Sequence, residues 1–277
     1  MRPPIDAGVV LLTGASSGIG EAMARLLAPR CAVLVLVARR TERLELLAGS
    51  LRALAPALVV EVSPCDLGQP QAVAQLAAGV QARHGRVDVL INNAGMGDIG
   101  LFEVAAPDKL LAMLQVNVIG LTVLTRALLP GMVARGRGGV LNISSGFGLS
   151  WIPGAAAYAG SKHYVTAMSE ALRCELSGTG VVLTQVCPGP VATEFEAIAG
   201  NPTGQQVPGF LELSADACAR QGLAAFDAGR AMVVPGFWAW LLVSMGRLSP
   251  AWVLRPLYGL LGRLARRRLP AVRRTGT

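Results

Sequence analysis

From Arg247 to Thr277 the sequence has no acidic residue, although residues 1–246 balance 17 Asp and Glu against 17 Lys and Arg. The formal charge of +8 therefore sits wholly on Arg247, Arg255, Arg263, Arg266, Arg267, Arg268, Arg273 and Arg274. A neutral body excludes a basic, nucleic-acid-seeking domain; the basicity belongs to a tail. Cysteine is sparse as well. Cys31, Cys65, Cys174, Cys187 and Cys218 form no CxxC pair, which speaks against a zinc site or a redox dithiol and leaves buried, reduced thiols as the expectation. Charged residues reach only 15% against 52% apolar ones, so nothing in the composition suggests disorder. Met1 to Gly8 runs straight into an apolar segment with no separate signal-peptide core, so a cytoplasmic protein is expected.

What the sequence does contain is alternation. Short apolar runs occur at Val9–Thr13, Val33–Val37, Leu58–Val62, Val87–Ile91, Val140–Ser144, Val181–Val186 and Ala231–Val234, and they predict seven strands. Helix-length segments lie between them, among them Glu21–Ala28, Arg40–Leu54, Gln71–Arg83, Lys109–Ala134 and Ala156–Ser177. Continuously apolar strands are buried on both faces, as in a parallel sheet covered by helices. The expectation is a doubly wound α/β fold of Rossmann type over residues 1–235, followed by a helical extension over 236–277. Gly200 to Gly209 reads as a long, irregular loop of the kind that carries substrate contacts.

After the first strand comes Thr13-Gly14-Ala15-Ser16-Ser17-Gly18-Ile19-Gly20, where a helix is due to start. Such a turn aims backbone N–H groups at a pyrophosphate. Gly14 permits the tight turn, Gly18 the approach of phosphate, and Gly20 close packing of helix on strand. The spacing is GxxxGxG and no GK[ST] follows, which excludes a nucleoside-triphosphatase loop. A dinucleotide fold that prefers NAD places an acid about twenty residues further on. Here Arg39 and Arg40 stand instead, suited to a 2′-phosphate, so NADP(H) is the expected cofactor; a solvated helix start is the plainer reading. Asp66 and Leu67 follow the third strand, where a carboxylate would accept from the adenine amino group. Asn93, Ala94 and Gly95 follow the fourth, near the adenine ribose. Asn and Gly also form plain turns.

Tyr158 and Lys162 stand at i and i+4, on one face of a helix. A nearby ammonium would lower a phenol's pKa from its usual 10. Ser145, at the end of the fifth strand and thirteen residues before Tyr158, offers a hydroxyl for a substrate oxygen, with Ser144 as its rival. His163 points about 100° away from Lys162 and reads as structural or surface; His84 suits a helix end.

Together, TGASSGIG, NNAG, Asn117, Ser145, YAGSK and the Pro188–Thr193 segment resemble the short-chain dehydrogenase/reductase family over residues 8 to about 235. The resemblance implies that Tyr158 is the general acid of reduction and the base of oxidation. Lys162 would bind the nicotinamide ribose and depress the Tyr158 pKa, Ser145 would polarise the carbonyl, and Asn117 would hold a proton-relaying water. Pro188, Gly189, Val191 and Thr193 would orient the nicotinamide. An NADP(H)-dependent oxidoreductase of carbonyl and alcohol groups is expected, as a homodimer or homotetramer. Phe147, Trp151, Ile152, Phe195 and Phe210 suggest an apolar substrate. A non-catalytic dinucleotide sensor and a membrane-surface interaction protein are the rival classes; a pure binder has no need of Tyr158.

Beyond Pro235-Gly236, the run Phe237 to Gly246 is uncharged but only about half the 20 residues a bilayer span needs. Its Trp and Leu residues, followed by spaced arginines, suit the surface of an anionic membrane, on its inner face. The alternative is a helical pair that covers the substrate cleft or a partner subunit, with Arg266 to Arg268 solvated.

Overall fold

The computed structural model describes residues 2–195, 199–200 and 209–268. The loop expected at Gly200–Gly209 therefore falls largely, over 201–208, outside the described residues, as do Arg273 and Arg274. Seven parallel strands form the central sheet: β1 (Val9–Thr13), β2 (Val33–Ala38), β3 (Val59–Pro64), β4 (Val89–Asn92), β5 (Gly138–Ile143), β6 (Val181–Val186) and, after a small separate pair, β9 (Met232–Val233). Their order is β3-β2-β1-β4-β5-β6-β9, a doubly wound sheet that reverses direction of winding between β1 and β4. Ligand crevices in such sheets open at that reversal, beyond the carboxyl ends of the strands. The separate pair is β7 (Val191–Ala192) and β8 (Leu213–Ser214), which the sequence reading did not foresee.

The helices are α1 (Gly18–Leu27), α2 (Thr41–Leu54), α3 (Pro70–His84), α4 (Pro107–Leu114), α5 (Leu121–Ala134), α6 (Ala156–Glu175), α7 (Ala215–Asp227), α8 (Phe237–Leu248) and α9 (Ala251–Arg268). All five residues of β1 are buried, and their alternation feeds two cores. Val10 and Leu12 join Met23, Leu44 and Phe226 on one face of the sheet. Leu11 joins Val73, Leu124 and Leu128 on the other. Each buried Leu of this kind is worth about 1.5–3 kcal/mol relative to exposure.

Two departures from the expected elements matter for function. The single helix expected over Lys109–Ala134 is broken by a π-helical turn, Gln115–Gly120, a widening of the ladder that recurs at functional sites. By length and composition Pro107–Ala134 is apolar enough to cross a membrane, but Leu124, Leu128 and Met132 are buried in the core beneath the sheet. The extension, in turn, packs on the body. Tyr258 stacks edge-on against Trp151 at 4.8 Å between ring centroids, and Arg266 pairs with Glu103 at 2.6 Å. Arg266 pairs there as a largely exposed charge at the surface. Four cysteines are buried as expected, whereas Cys174 is exposed.

Candidate active site

The carboxyl end of β1 delivers the glycine-rich turn. Gly14 and Gly18 have φ of 67° and 57°, which L side chains rarely adopt. A Cβ at Gly14 would lie 2.8 Å from the Ala94 backbone, and one at Gly18 2.9 Å from Thr193 Cγ2. At Gly20 a Cβ would strike the Gly14 carbonyl oxygen. The turn is held from the neighbouring strand: Asn93 Nδ2 donates to the carbonyls of Thr13 (3.0 Å) and Gly14 (3.1 Å). The backbone N–H groups of Asn93 and Ala94 both donate to Thr13 Oγ1, at 3.0 and 3.1 Å. Asn93, expected near the ribose, places its carboxamide nitrogen on the carbonyls at the end of β1. Ile19 packs partly buried against the core.

Arg40 lies across this turn. Its Nη2 donates to Ser16 Oγ (3.1 Å) and Ser17 Oγ (2.8 Å), and its Nη1 to Glu194 Oε2 (2.8 Å). Arg43 Nη1 holds the other carboxylate oxygen at 2.6 Å. The two guanidiniums, Arg40 first, keep the Glu194 carboxyl below the usual carboxylate range. Arg39 is exposed on the same rim. Neither Arg43 nor Glu194 was identifiable from the sequence. Exposed Asp66 closes a local turn by accepting from Gly68 N at 3.0 Å, and Leu67 is buried below it. The open glycine turn, with hydroxyls and guanidiniums beside it, fits the diphosphate of a dinucleotide.

Ser145, Tyr158, Lys162 and Asn117 meet one strand further along. Tyr158 is buried between Phe147 (centroids 6.1 Å apart, edge-on) and Phe195 (5.6 Å). Burial pushes its phenol up to about 12, against an opposing hydrogen bond with the Ser145 hydroxyl. Lys162 Nζ donates to the Ile143 carbonyl at 3.0 Å and lies 6.0 Å from the centre of the Tyr158 ring. Burial brings its ammonium down to about 8. The upward shift at Tyr158 comes from burial and is opposed by the Ser145 hydroxyl, with no part of it set by Lys162. Desolvation wins at both groups, because each is enclosed by protein and the ammonium is aimed at a carbonyl rather than at the phenol.

Ser144 turns the other way, donating to the Lys162 carbonyl (3.1 Å) and bonding Thr166 Oγ1 (2.8 Å), so it fixes α6 to β5. Ser145 is the hydroxyl that faces the tyrosine. Asn117, on the π-helical turn, donates from Nδ2 to the Met96 carbonyl (2.9 Å) and to Ser161 Oγ (3.0 Å), while its Oδ1 accepts from Met96 N (2.8 Å). It clamps the strand that leaves Gly95, where an added Cβ would lie 3.4 Å from Lys162 Nζ. Below the site runs a buried ladder unforeseen in the sequence. Asn92 Nδ2 donates to Thr125 Oγ1 (3.0 Å) and Asn142 Oδ1 (2.9 Å), and Asn142 Nδ2 donates to Ser169 Oγ (2.9 Å). His163 bonds its own helix through the Ala159 carbonyl, and His84 pairs with Glu61.

Beyond β6, the Pro188 carbonyl accepts from Gly146 N at 2.6 Å, tying this turn to Ser145. Val191 pairs with Leu213, and Thr193 rests its methyl on the Gly18 backbone. Helix α8 covers this side of the site. A Cβ on Gly189 would meet Ala239 Cβ at 2.7 Å, and one on Gly146 would meet Val243 at 3.0 Å.

A family model described as short chain dehydrogenase matches residues 8–201. A "Dehydrogenase/reductase SDR family protein 7-like" of Drosophila melanogaster is 38% identical over 205 residues, covering 73% of this chain and 63% of that protein. A "Granaticin polyketide synthase putative ketoacyl reductase 1" of Streptomyces violaceoruber is 37% identical over 67% of this chain and 68% of its own. Among solved structures, a short-chain dehydrogenase from Sphingobium yanoikuyae in complex with NADPH superposes with a TM-score of 0.76 at 31% identity, over 95% of this chain and 97% of that one. One from Burkholderia phymatum in complex with NAD gives 0.77 at 25% identity, over 87% and 93%. The chain covers less than two thirds of the fly relative's length. With the sheet order, the glycine turn and the matched span agreeing, the chain belongs to the short-chain dehydrogenase/reductase family of oxidoreductases.

Proposed function

We propose that this chain reduces a carbonyl to an alcohol, and runs the reverse, on an apolar substrate with NADP(H) as cofactor. The observation that carries the proposal is the meeting of Ser145, Tyr158 and Lys162 beside the glycine turn. Ser145 Oγ holds the substrate oxygen, and Tyr158 Oη gives it a proton. Burial keeps the phenol protonated at neutral pH, the form from which it can donate to the substrate oxygen. Lys162, brought down to about 8 by burial, lies 6.0 Å from the centre of the Tyr158 ring and would bind the nicotinamide ribose. Asn117 fixes the backbone at Met96 opposite them. When bound, the nicotinamide supplies the hydride. Gly14, Ser16, Ser17, Gly18 and Ile19 would bind the diphosphate, Arg39 and Arg40 the 2′-phosphate, and Asp66, Leu67 and Ala94 the adenosine. Pro188, Gly189, Val191 and Thr193 would orient the nicotinamide. The NADPH complex of the Sphingobium protein supports this preference; the NAD complex of the Burkholderia protein supports the other. Arg40, held over the Ser16 and Ser17 hydroxyls, supports the phosphorylated form.

Phe147 and Phe195 against the tyrosine, with α8 covering Gly146 and Gly189 beside it, support an apolar substrate. NADPH oxidation across ketones and aldehydes of increasing chain length tests the proposal. Turnover that rises with chain length supports it, and no turnover with any carbonyl overturns it. Assembly as a homodimer or homotetramer is part of the same reading, and light scattering measures it.

A second reading concerns the extension. Leu248 is 83% and Trp252 75% exposed, beside Trp238, Trp240, Leu242 and Met245, with arginines and no acid among them. We infer that this face rests on an anionic membrane surface in the cytoplasm. Flotation with anionic vesicles tests it: Leu248→Asp with Trp252→Asp should abolish binding, and equal flotation of variant and wild type would contradict it.

A further inference from the structure

We propose that Glu194 is a tethered anion occupying the cradle for the cofactor's 2′-phosphate, and that the phosphate enters by displacing it. The proposal rests on the NADP(H) reading above and adds a specificity-determining residue to it. Two guanidiniums converge on one carboxylate beside the glycine turn: Arg40, whose Nη2 also donates to the Ser16 and Ser17 hydroxyls, and Arg43. The two guanidiniums each take one oxygen of the Glu194 carboxylate, at 2.8 and 2.6 Å. A planar fork of this kind binds carboxylate and phosphate alike. The carboxylate brings one negative charge, whereas a phosphate monoester carries about −1.5 to −2. Arg40, Arg43 and Glu194 are 41%, 46% and 45% exposed, so water screens their pairing and the incumbent is easily exchanged.

What makes Glu194 more than a surface ion pair is its place in the chain. The residue before it, Thr193, lies on Gly18 of the phosphate-binding turn. The residue after it, Phe195, stacks on the ring of Tyr158 at 5.6 Å. Three consecutive side chains therefore touch the diphosphate turn, the 2′-phosphate cradle and the tyrosine. Exchange of Glu194 for phosphate releases the segment that covers Tyr158 only when the phosphorylated cofactor is present. A cofactor without that phosphate leaves the cradle closed on Glu194, and the discrimination is thus felt at the substrate side of the tyrosine as well as at the adenosine.

The test is a binding measurement on the full chain, with Glu194→Gln and Glu194→Ala against wild type. Both substitutions replace an exposed side chain, and melting curves confirm that the variants fold. The probes are NADPH and NADH, and 2′,5′-ADP and 5′-AMP as their adenosine halves. Removal of the competing charge should tighten 2′,5′-ADP and NADPH by about two- to fivefold, the range of an exposed ion pair, and leave 5′-AMP and NADH unchanged. Equal weakening of all four would mean that Glu194 closes over the bound cofactor, and would overturn displacement. Unchanged affinities would overturn it too. If wild type and both variants bind none of the four, the cofactor reading falls and this inference falls with it; an unaltered preference between 2′,5′-ADP and 5′-AMP overturns this inference alone.

Discussion

Replacing Asn142 by Ala tests whether the site is positioned by the buried polar ladder beneath it. Asn142 is fully buried on β5, three residues before Ser145. Its Oδ1 accepts from Asn92 on β4 and its Nδ2 donates to Ser169 on α6, the helix that carries Tyr158 and Lys162. The substitution deletes both bonds, yet neither partner is orphaned. Asn92 still donates to Thr125 Oγ1, and Ser169 still donates to the Val165 carbonyl at 2.7 Å. Two hydrogen bonds at about 1 kcal/mol each, plus the cavity left by a carboxamide, amount to about 2–4 kcal/mol. Thr125→Val removes a single bond at nearly constant shape and should cost about 1 kcal/mol. Urea unfolding of both variants at constant m gives the two values directly. A cost below about 0.5 kcal/mol for Asn142→Ala, no larger than a surface change, would refute the reasoning. So would a cost equal to that of Thr125→Val.

Two further outcomes follow from the geometry. Burial raises the Glu61 carboxyl, but hydrogen bonds from Arg83, Ser63 and His84 outweigh it and bring it down to about 2 from 4.5. A depressed carboxylate stabilises the fold above pH 4.5 and loses that contribution as pH falls toward 2. With screening at this partly solvated site the loss is about 1–2 kcal/mol, and Glu61→Gln should flatten acid unfolding across that window. Gly20→Ala should abolish NADPH binding in fluorescence titration at a stability cost of about 1–3 kcal/mol, since its methyl would strike the Gly14 carbonyl; unimpaired binding would contradict the close packing.

Much of this arrangement was legible because its requirements are local. Gly14, Gly18 and Gly20 announce a turn that no side chain fits, and the β-branched runs announce strands buried on both faces. Tyr158 and Lys162 are one helical turn apart in any α-helix. The start of β5 was less visible, since Gly138 and Gly139 carry no apolar side chain. They are glycine because Met132 and Phe226 press on the strand there, where a Cβ would meet them at 2.5 and 2.7 Å. The π-helical turn at Asn117 was hidden within a stretch whose apolar period reads as one helix. Contacts between distant residues were hidden altogether: Arg43 meets Glu194 151 positions away, and Arg266 meets Glu103 163 positions away. Spacing put Lys162 near Tyr158, but only packing reveals that the ammonium faces the Ile143 carbonyl and that burial governs both groups.

Tyr158→Phe is the most direct test of the central claim that a buried phenol supplies the proton. NADPH oxidation by a carbonyl that wild type reduces should fall by about 10²- to 10⁴-fold, with NADPH affinity unchanged in fluorescence titration. Retained turnover with the phenylalanine in place would contradict the account, because the proton would then come from a group other than the phenol.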